Sequence, residues 1–150
     1  MAGGIELLLI QDDPADVLLM SDDFLTNKLT NRVQIASNAA IALAYLAGTT
    51  PFTRPGRPDL VLLDLNLPGR DGRVVLRRIR ADPATASVPV VLLVDSPAAE
   101  EILRAELLPV QGYVVKPVDF DRLVAVVRSL NDLGFQILRH DGASPIGDVR

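Results

Sequence analysis

Short apolar runs separated by amphipathic stretches dominate the chain. The run over residues 60–63 has the length of one strand buried on both faces, and it ends abruptly at an acid, Asp64. Similar runs predict four more strands, over residues 5–10, 32–36, 88–94 and 113–115. Because continuous apolar runs are typical of strands covered on both faces, this pattern favours a parallel sheet.

Helical patterns lie between these runs and carry local start and stop signals. Pro14 after Asp13 is typical of a helix start, and Gly48 and Pro109 are typical helix ends. Helices are predicted over residues 14–29, from a cap at Ser37 or Asn38 to residue 47, and over 72–81, 98–108 and 120–133. Alternation of five strands and five helices predicts an α/β fold, a doubly wound parallel sheet with helices on both faces.

Length and composition narrow the possible classes of protein. The 150 residues suffice for one domain, expected over residues 1–138, and the polar Gly- and Pro-bearing residues 139–150 are expected to be a disordered tail. The net charge of −4 and the 4% aromatic content argue against a nucleic-acid surface. The arginines of the helix over 72–81, Arg77, Arg78 and Arg80, are interpreted as a solvated face.

Cysteine content and the start of the chain bear on location. Without cysteine there is no disulfide framework or thiolate metal site, which fits a reducing compartment. The first apolar run lacks a preceding basic region and is too short for a signal or a membrane span. We therefore expect a cytoplasmic protein that binds no membrane.

Three strand ends carry charged residues that could bind a ligand or take part in a reaction. Asp12 follows the first strand, Asp64 ends the third, and Lys116 follows the fifth. In a doubly wound sheet of order 2-1-3-4-5, the first and third strands are neighbours, so the two carboxylates meet where ligands bind. Hard oxygen ligands favour Mg²⁺, and Lys116 offers a point positive charge suited to a phosphoryl oxygen. The alternative is a strand that simply ends at a solvated Asp64.

The chain resembles response-regulator receiver domains over nearly residues 5–133. The resemblance is carried by the segments QDDPADVLL, PDLVLLDLNLPGRDGRVVL, IRADPATASVPVVLL and GYVVKPVDFDRLVAVV, in this order and spacing. It is strongest to the stand-alone type, which includes the phytochrome-associated regulators of cyanobacteria. The resemblance implies a flavodoxin-like (βα)5 receiver fold.

The resemblance also implies roles for individual residues. Asp64 would accept a phosphoryl group from a sensor histidine kinase, and Lys116 would contact the phosphoryl oxygens. Asp12, Asp64 and the backbone carbonyl of Asn66 would hold Mg²⁺. Tyr113 matches the aromatic switch position, and Pro117 is expected to follow a cis peptide bond. As a phosphoacceptor the protein is not expected to be an enzyme; a phosphohydrolase is disfavoured because Asn66 stands where an acid-base Asp would be needed.

Two departures from the family pattern leave an alternative open. Gln11 replaces one acid of the family's acidic pair, so the metal site lacks a negative charge. Val94 replaces the Thr or Ser whose hydroxyl bonds the phosphoryl group and couples it to the switch, which predicts that a phosphoryl mimic at Asp64 barely alters the surface near Tyr113. The alternative is therefore a binding module of the same fold whose output is independent of phosphorylation.

An association surface is also implied by the resemblance. Receivers of this type commonly pair through the fourth helix, the fifth strand and the last helix, so a two-fold homodimer is expected. Apolar residues of that face are Ile102, Leu103, Val124 and Val127, and an apolar extension of Phe135, Ile137 and Leu138 would help to cover the partner.

Overall fold

The computed structural model describes residues 6–13, 32–67 and 70–116. In this part of the chain five parallel strands form one sheet: β1 (Glu6–Ile10), β2 (Arg32–Ala36), β3 (Leu60–Asp64), β4 (Val90–Val94) and β5 (Gly112–Val115). Their order is β2-β1-β3-β4-β5, which confirms the predicted sheet. The expected helices over 14–29 and 120–133, the tail and Pro117 lie outside the described residues.

The described helices are α1 (Ala39–Ala47), α2 (Arg73–Ala81) and α3 (Pro97–Ala105). The amide of Ile41 donates to Asn38 Oδ1 at 2.8 Å, so Asn38 caps α1 as expected. Gly48 ends α1 at φ 75°, a conformation that glycine adopts without steric cost. None of these helices has the length and apolar character that a membrane span requires.

The end of α3 differs from the expectation. The helix stops at Ala105 instead of continuing to residue 108, and Leu107 takes a left-handed conformation with φ 55°. A proline ring clashes with the carbonyl four residues earlier, which for Pro109 is that of Ala105, and it also disfavours helical geometry at Leu108. Pro109 therefore ends the helix several residues ahead of itself, and its predicted position as the direct helix end is wrong.

The sheet is the centre of the hydrophobic core. Every residue of β3 and β4 is buried, and Leu7 to Ile10 of β1 are fully shielded from solvent. Such burial on both faces explains why the three central strands are continuous apolar runs. Because these three strands are parallel, their carboxyl ends lie at one edge of the sheet. The chain becomes polar at this edge.

The loop after β3 is more ordered than a simple polar turn. Asn66–Leu67 pairs antiparallel with Arg70–Asp71, a two-residue ladder that the sequence pattern did not predict. Gly72 donates its amide to the Leu65 carbonyl at 2.8 Å, and a Cβ on Gly72 would lie 2.8 Å from Leu65 Cα. Only glycine permits this close approach, so Gly72 fixes the backbone that follows Asp64.

Arg80 is not part of a solvated face, and that interpretation is wrong for this residue. Its guanidinium donates to the carbonyls of Pro109, Ala86 and Val88 at 2.9, 3.1 and 2.7 Å and to Gln111 Oε1 at 2.8 Å. Burial lowers the pKa of Arg80. Arg80 therefore ties α2 to the chain segments that lead into β4 and β5.

Candidate functional site

Asp64 lies at the carboxyl end of β3 and is only 3% exposed, so the interpretation of a solvated strand end is wrong. Its Oδ1 accepts a hydrogen bond from the Asn66 amide at 2.9 Å. Its Oδ2 accepts one from Lys116 Nζ at 2.7 Å. A buried carboxylate that is held by a backbone donor and a cation is oriented for chemistry.

Lys116 reaches the site because β5 runs beside β4. The amide of Lys116 donates to the carbonyl of Val94 at 2.7 Å, which continues the sheet pairing by one residue and aims the lysine at the sheet edge. Its side chain is 18% exposed. Burial lowers the pKa of Lys116, but the hydrogen bonds to Asp64 and Asp95 outweigh burial and leave that pKa above its ordinary value. Lys116 is therefore a fixed positive charge at neutral pH.

Asp95 is a member of the site to which the sequence patterns assigned no role. Its Oδ1 lies 3.0 Å from Lys116 Nζ, and its Oδ2 accepts a hydrogen bond from Asn66 Nδ2 at 3.3 Å. The four residues Asp64, Asn66, Asp95 and Lys116 thus form a closed ring of hydrogen bonds. An acid directly after a buried strand is the signal that identified Asp64, and the same signal is present at Asp95 after β4.

The metal ligands implied by the resemblance are only in part brought together. Asp64 and Asn66 are adjacent, whereas Asp12 lies exposed at the end of β1, on the same sheet edge, since Ile10 is the register partner of Leu63. Gln11, directly before Asp12 in the chain, is 1% exposed. Among the described residues, no three His, Cys, Asp or Glu side chains come together as a metal site. Two carboxylates and a carbonyl are nevertheless hard donors that fit Mg²⁺ with several waters retained.

A small cavity of about 80 Å³ adjoins Asp64 between β4 and α3. Buried Val94 also lines this cavity, and a valine side chain provides no hydrogen-bond donor. Arg73 at the start of α2 also lines it and forms a two-pronged ion pair with Glu106, at 3.0 Å from Nε and 2.6 Å from Nη2. This ion pair joins the start of α2 to the end of α3.

Tyr113 of β5 is half-buried and lies under α3. The Arg104 guanidinium is 4.5 Å from the centre of its ring, and Arg104 also donates to Glu100 Oε2 at 2.8 Å. Burial raises the pKa of Tyr113, and the Arg104 charge opposes that rise. The predicted switch residue is thus in contact with the helix that begins beside Asp95.

Comparison with known proteins defines the class to which this fold and site belong. The model of the response regulator receiver domain family matches residues 7–128. The chain is 32% identical to response regulator Rcp1 of Synechocystis sp. over 83% of this chain and 84% of that protein. The chain belongs to the receiver domain family of response regulators.

Solved structures support the same assignment. The bacteriophytochrome response regulator RtBRR is 34% identical, with a TM-score of 0.79 over 97% of this chain and 86% of that one. The phosphorylated cyanobacterial phytochrome response regulator RcpA is 29% identical, with a TM-score of 0.70 over 93% and 99%. The Mn²⁺-bound form of Rcp1 is 28% identical, with a TM-score of 0.68 over 92% and 99%. The resemblance to stand-alone phytochrome-associated receivers is therefore confirmed.

Proposed function

We propose that this receiver accepts a phosphoryl group on Asp64 from a sensor histidine kinase and passes the signal on by protein contact. The observation that carries the proposal is the buried Asp64 carboxylate, held at 2.9 Å by the Asn66 amide and at 2.7 Å by Lys116. We do not favour the alternative of a binding module independent of phosphorylation, because the Asp64 carboxylate is buried and pairs with Lys116. We keep the expected cytoplasmic location as part of this proposal.

In the proposed transfer, an oxygen of Asp64 attacks the phosphorus of a phosphohistidine on the kinase. The new O–P bond forms as the P–N bond breaks, and the imidazole nitrogen keeps the electron pair of the broken bond. Lys116 pairs with the phosphoryl oxygens and offsets the added charge. Asp12, Asp64 and the Asn66 carbonyl would hold a divalent cation, which when bound supplies further neutralisation of those oxygens. The similar proteins Rcp1 in its Mn²⁺-bound form and RcpA in its phosphorylated form support a site that takes a divalent cation and a phosphoryl group.

The chemistry of the modification tests the proposal. We expect the chain to gain the mass of one phosphoryl group from acetyl phosphate and Mg²⁺, and to lose it on treatment with hydroxylamine. Hydroxylamine cleaves the acyl phosphate of an aspartate and leaves serine or threonine phosphate intact. Absence of any mass gain, or a gain that hydroxylamine does not remove, would contradict a phosphoacceptor aspartate.

Gln11→Glu is expected to tighten Mg²⁺ binding. Gln11 directly follows the strand residue paired with Leu63, so a carboxylate there adds a negative charge beside Asp64 and strengthens the Coulomb attraction of a divalent ion. Because position 11 is 1% exposed, the variant should also be less stable than the parent without Mg²⁺.

Titration with Mg²⁺ followed by NMR measures both affinities. Gln34→Glu on β2 is the matched control, since it makes the same change of charge away from the site. Equal Mg²⁺ affinities of the parent and Gln11→Glu would argue against a metal site beside Gln11.

The homodimer expected from the resemblance remains a proposal. Ile102 is exposed on α3, whereas Leu103 is half-buried and packs against the core, so Ile102 is the more accessible of the two to a partner. Val124, Val127 and the extension Phe135, Ile137 and Leu138 lie outside the described residues. We expect sedimentation equilibrium to give a dimer mass, and Ile102→Asp to raise the dissociation constant. A monomer at high micromolar concentration would contradict this pairing.

A further inference from the structure

Asp95 connects the acceptor site to the start of α3. One of its oxygens lies 3.0 Å from Lys116 Nζ, and the other accepts from Asn66 Nδ2 at 3.3 Å. The next residue, Ser96, is the N-cap of α3 and accepts from the Ala99 amide at 3.1 Å. The position of the first turn of α3 is therefore linked to Lys116 through a single carboxylate.

The charge balance of this site changes when Asp64 is modified. In the unmodified site one lysine is shared by two carboxylates, those of Asp64 and Asp95. The acyl phosphate carries roughly −1.5 to −2 charges in place of the single negative charge of the free carboxylate, and it presents three strong acceptor oxygens. Those oxygens compete with Asp95 for the ammonium of Lys116, and their negative charge repels the Asp95 carboxylate.

We propose that Asp95 acts as a latch: its contact with Lys116 holds the start of α3 in position while Asp64 is unmodified. When Asp64 carries a phosphoryl group, the Asp95 carboxylate is displaced from Lys116. This inference rests on the proposed function of Asp64. The side chain of Asp95 is 60% exposed, so its carboxylate can move away from Lys116 into solvent without a burial cost. Helix α3 also carries Arg104, whose guanidinium lies 4.5 Å from the Tyr113 ring centre, so a shift of the helix reaches that ring.

The latch would replace an interaction that this chain lacks. Val94 has no hydroxyl with which to draw the loop after β4 toward a phosphoryl group, so a side-chain hydrogen bond at this position is absent. Release of Asp95 acts on the same loop by repulsion. The expectation drawn from Val94 alone, a weak response at Tyr113, therefore differs from the expectation drawn from Asp95.

Backbone NMR of the full chain with beryllofluoride and Mg²⁺, a phosphoryl mimic, tests the latch. In the parent we expect chemical-shift changes at Asn66 and Lys116, and also along residues 96–104 and at Tyr113. In Asp95→Asn the latch is weakened before any mimic is added. The amides of residues 96–104 should therefore already be displaced toward their positions in the loaded parent, and most of the further change there should be lost.

Asp82→Asn is the matched control. Like Asp95, Asp82 is an aspartate paired with a basic side chain, in this case Arg78 at 3.2 Å. This variant should respond as the parent does. Equal responses of α3 in the parent and Asp95→Asn would overturn the latch, as would a parent response confined to Asn66 and Lys116. Absence of any response at Asn66 and Lys116 in the parent would instead contradict the proposed function itself.

Discussion

Lys116→Met is expected to destabilise the fold strongly, although it keeps most of the side chain's apolar length. Asp64 is 3% exposed, and the substitution leaves its carboxylate buried without its cation. Breaking a fully buried ion pair from one side costs roughly 3–5 kcal/mol, and the partial exposure of Lys116 reduces this to about 2–4 kcal/mol. Urea unfolding at neutral pH measures the difference.

The choice of pH follows from the direction of the lysine shift. Because the pKa of Lys116 is raised in the folded state, its stabilising contribution is complete below the ordinary lysine pKa and is lost only as pH rises through the higher folded value. A comparison at neutral pH therefore records the whole contribution. Any loss of the Lys116 contribution should begin only in strongly alkaline solution.

A double variant separates lost charge pairing from lost packing. Asp64→Asn combined with Lys116→Met leaves no buried unpaired carboxylate, so it should be more stable than Lys116→Met alone. Asp95→Asn, which removes the exposed partner of Lys116, should cost no more than about 1 kcal/mol. Equal stabilities of Lys116→Met and the double variant would show that the ion pair with Asp64 is not the cause.

Arg80→Met is expected to lower the free energy of unfolding by about 2–4 kcal/mol, which is of the order of one or two hydrogen bonds to a charged group. The substitution removes the donor from three backbone carbonyls and from Gln111 Oε1. Gln111 Oε1 also accepts from the Val90 amide at 2.8 Å, so the loss extends to the first residue of β4.

Arg78→Met on the same helix is the control for this second variant. Arg78 forms only an i,i+4 ion pair with Asp82, at 3.2 Å near the surface, which is worth roughly 0.3–0.5 kcal/mol. Urea unfolding of both variants should give a several-fold larger loss for Arg80→Met. Similar losses would mean that the hydrogen bonds of Arg80 to the backbone and to Gln111 contribute little.

The strands and the caps of α1 could be predicted because their signals are local. An apolar run such as residues 60–63 predicts, without further information, a strand whose two faces are both covered. The caps Asn38 and Gly48 act on backbone groups within a few residues of themselves. The position of Asp64 at the carboxyl-end edge of the sheet could also be predicted. This prediction needs only the strand, its end and the parallel topology.

The role of Arg80 could not be predicted because its partners are distant or lie in irregular structure. Periodicity along α2 distinguishes an apolar face from a polar one, but it does not say whether a polar side chain reaches water or the carbonyls of another segment. Pro109 and Gln111 are about thirty residues further along the chain, and they come within reach only when β5 joins β4.

The role of Asp95 could be predicted only in part. An acid directly after a strand was visible in the sequence, but its pairing with Lys116 was not. The acid follows β4 as Asp64 ends β3, but its distance to Lys116 depends on the loop that leads into α3. The family pattern draws attention to the neighbouring Val94, where a hydroxyl is missing. The residue that forms the contact with Lys116 is one position further along.

The most direct test of the account is the intact mass of three proteins after incubation with acetyl phosphate and Mg²⁺. We predict that the parent gains the mass of one phosphoryl group and that Asp64→Asn gains none while remaining folded. Asp82→Asn, the same change at a carboxylate outside the ring of Asp64, Asn66, Asp95 and Lys116, should still gain it. A phosphoryl mass on Asp64→Asn, or its loss from Asp82→Asn with Asp64 intact, would contradict the assignment of Asp64 as the phosphoacceptor.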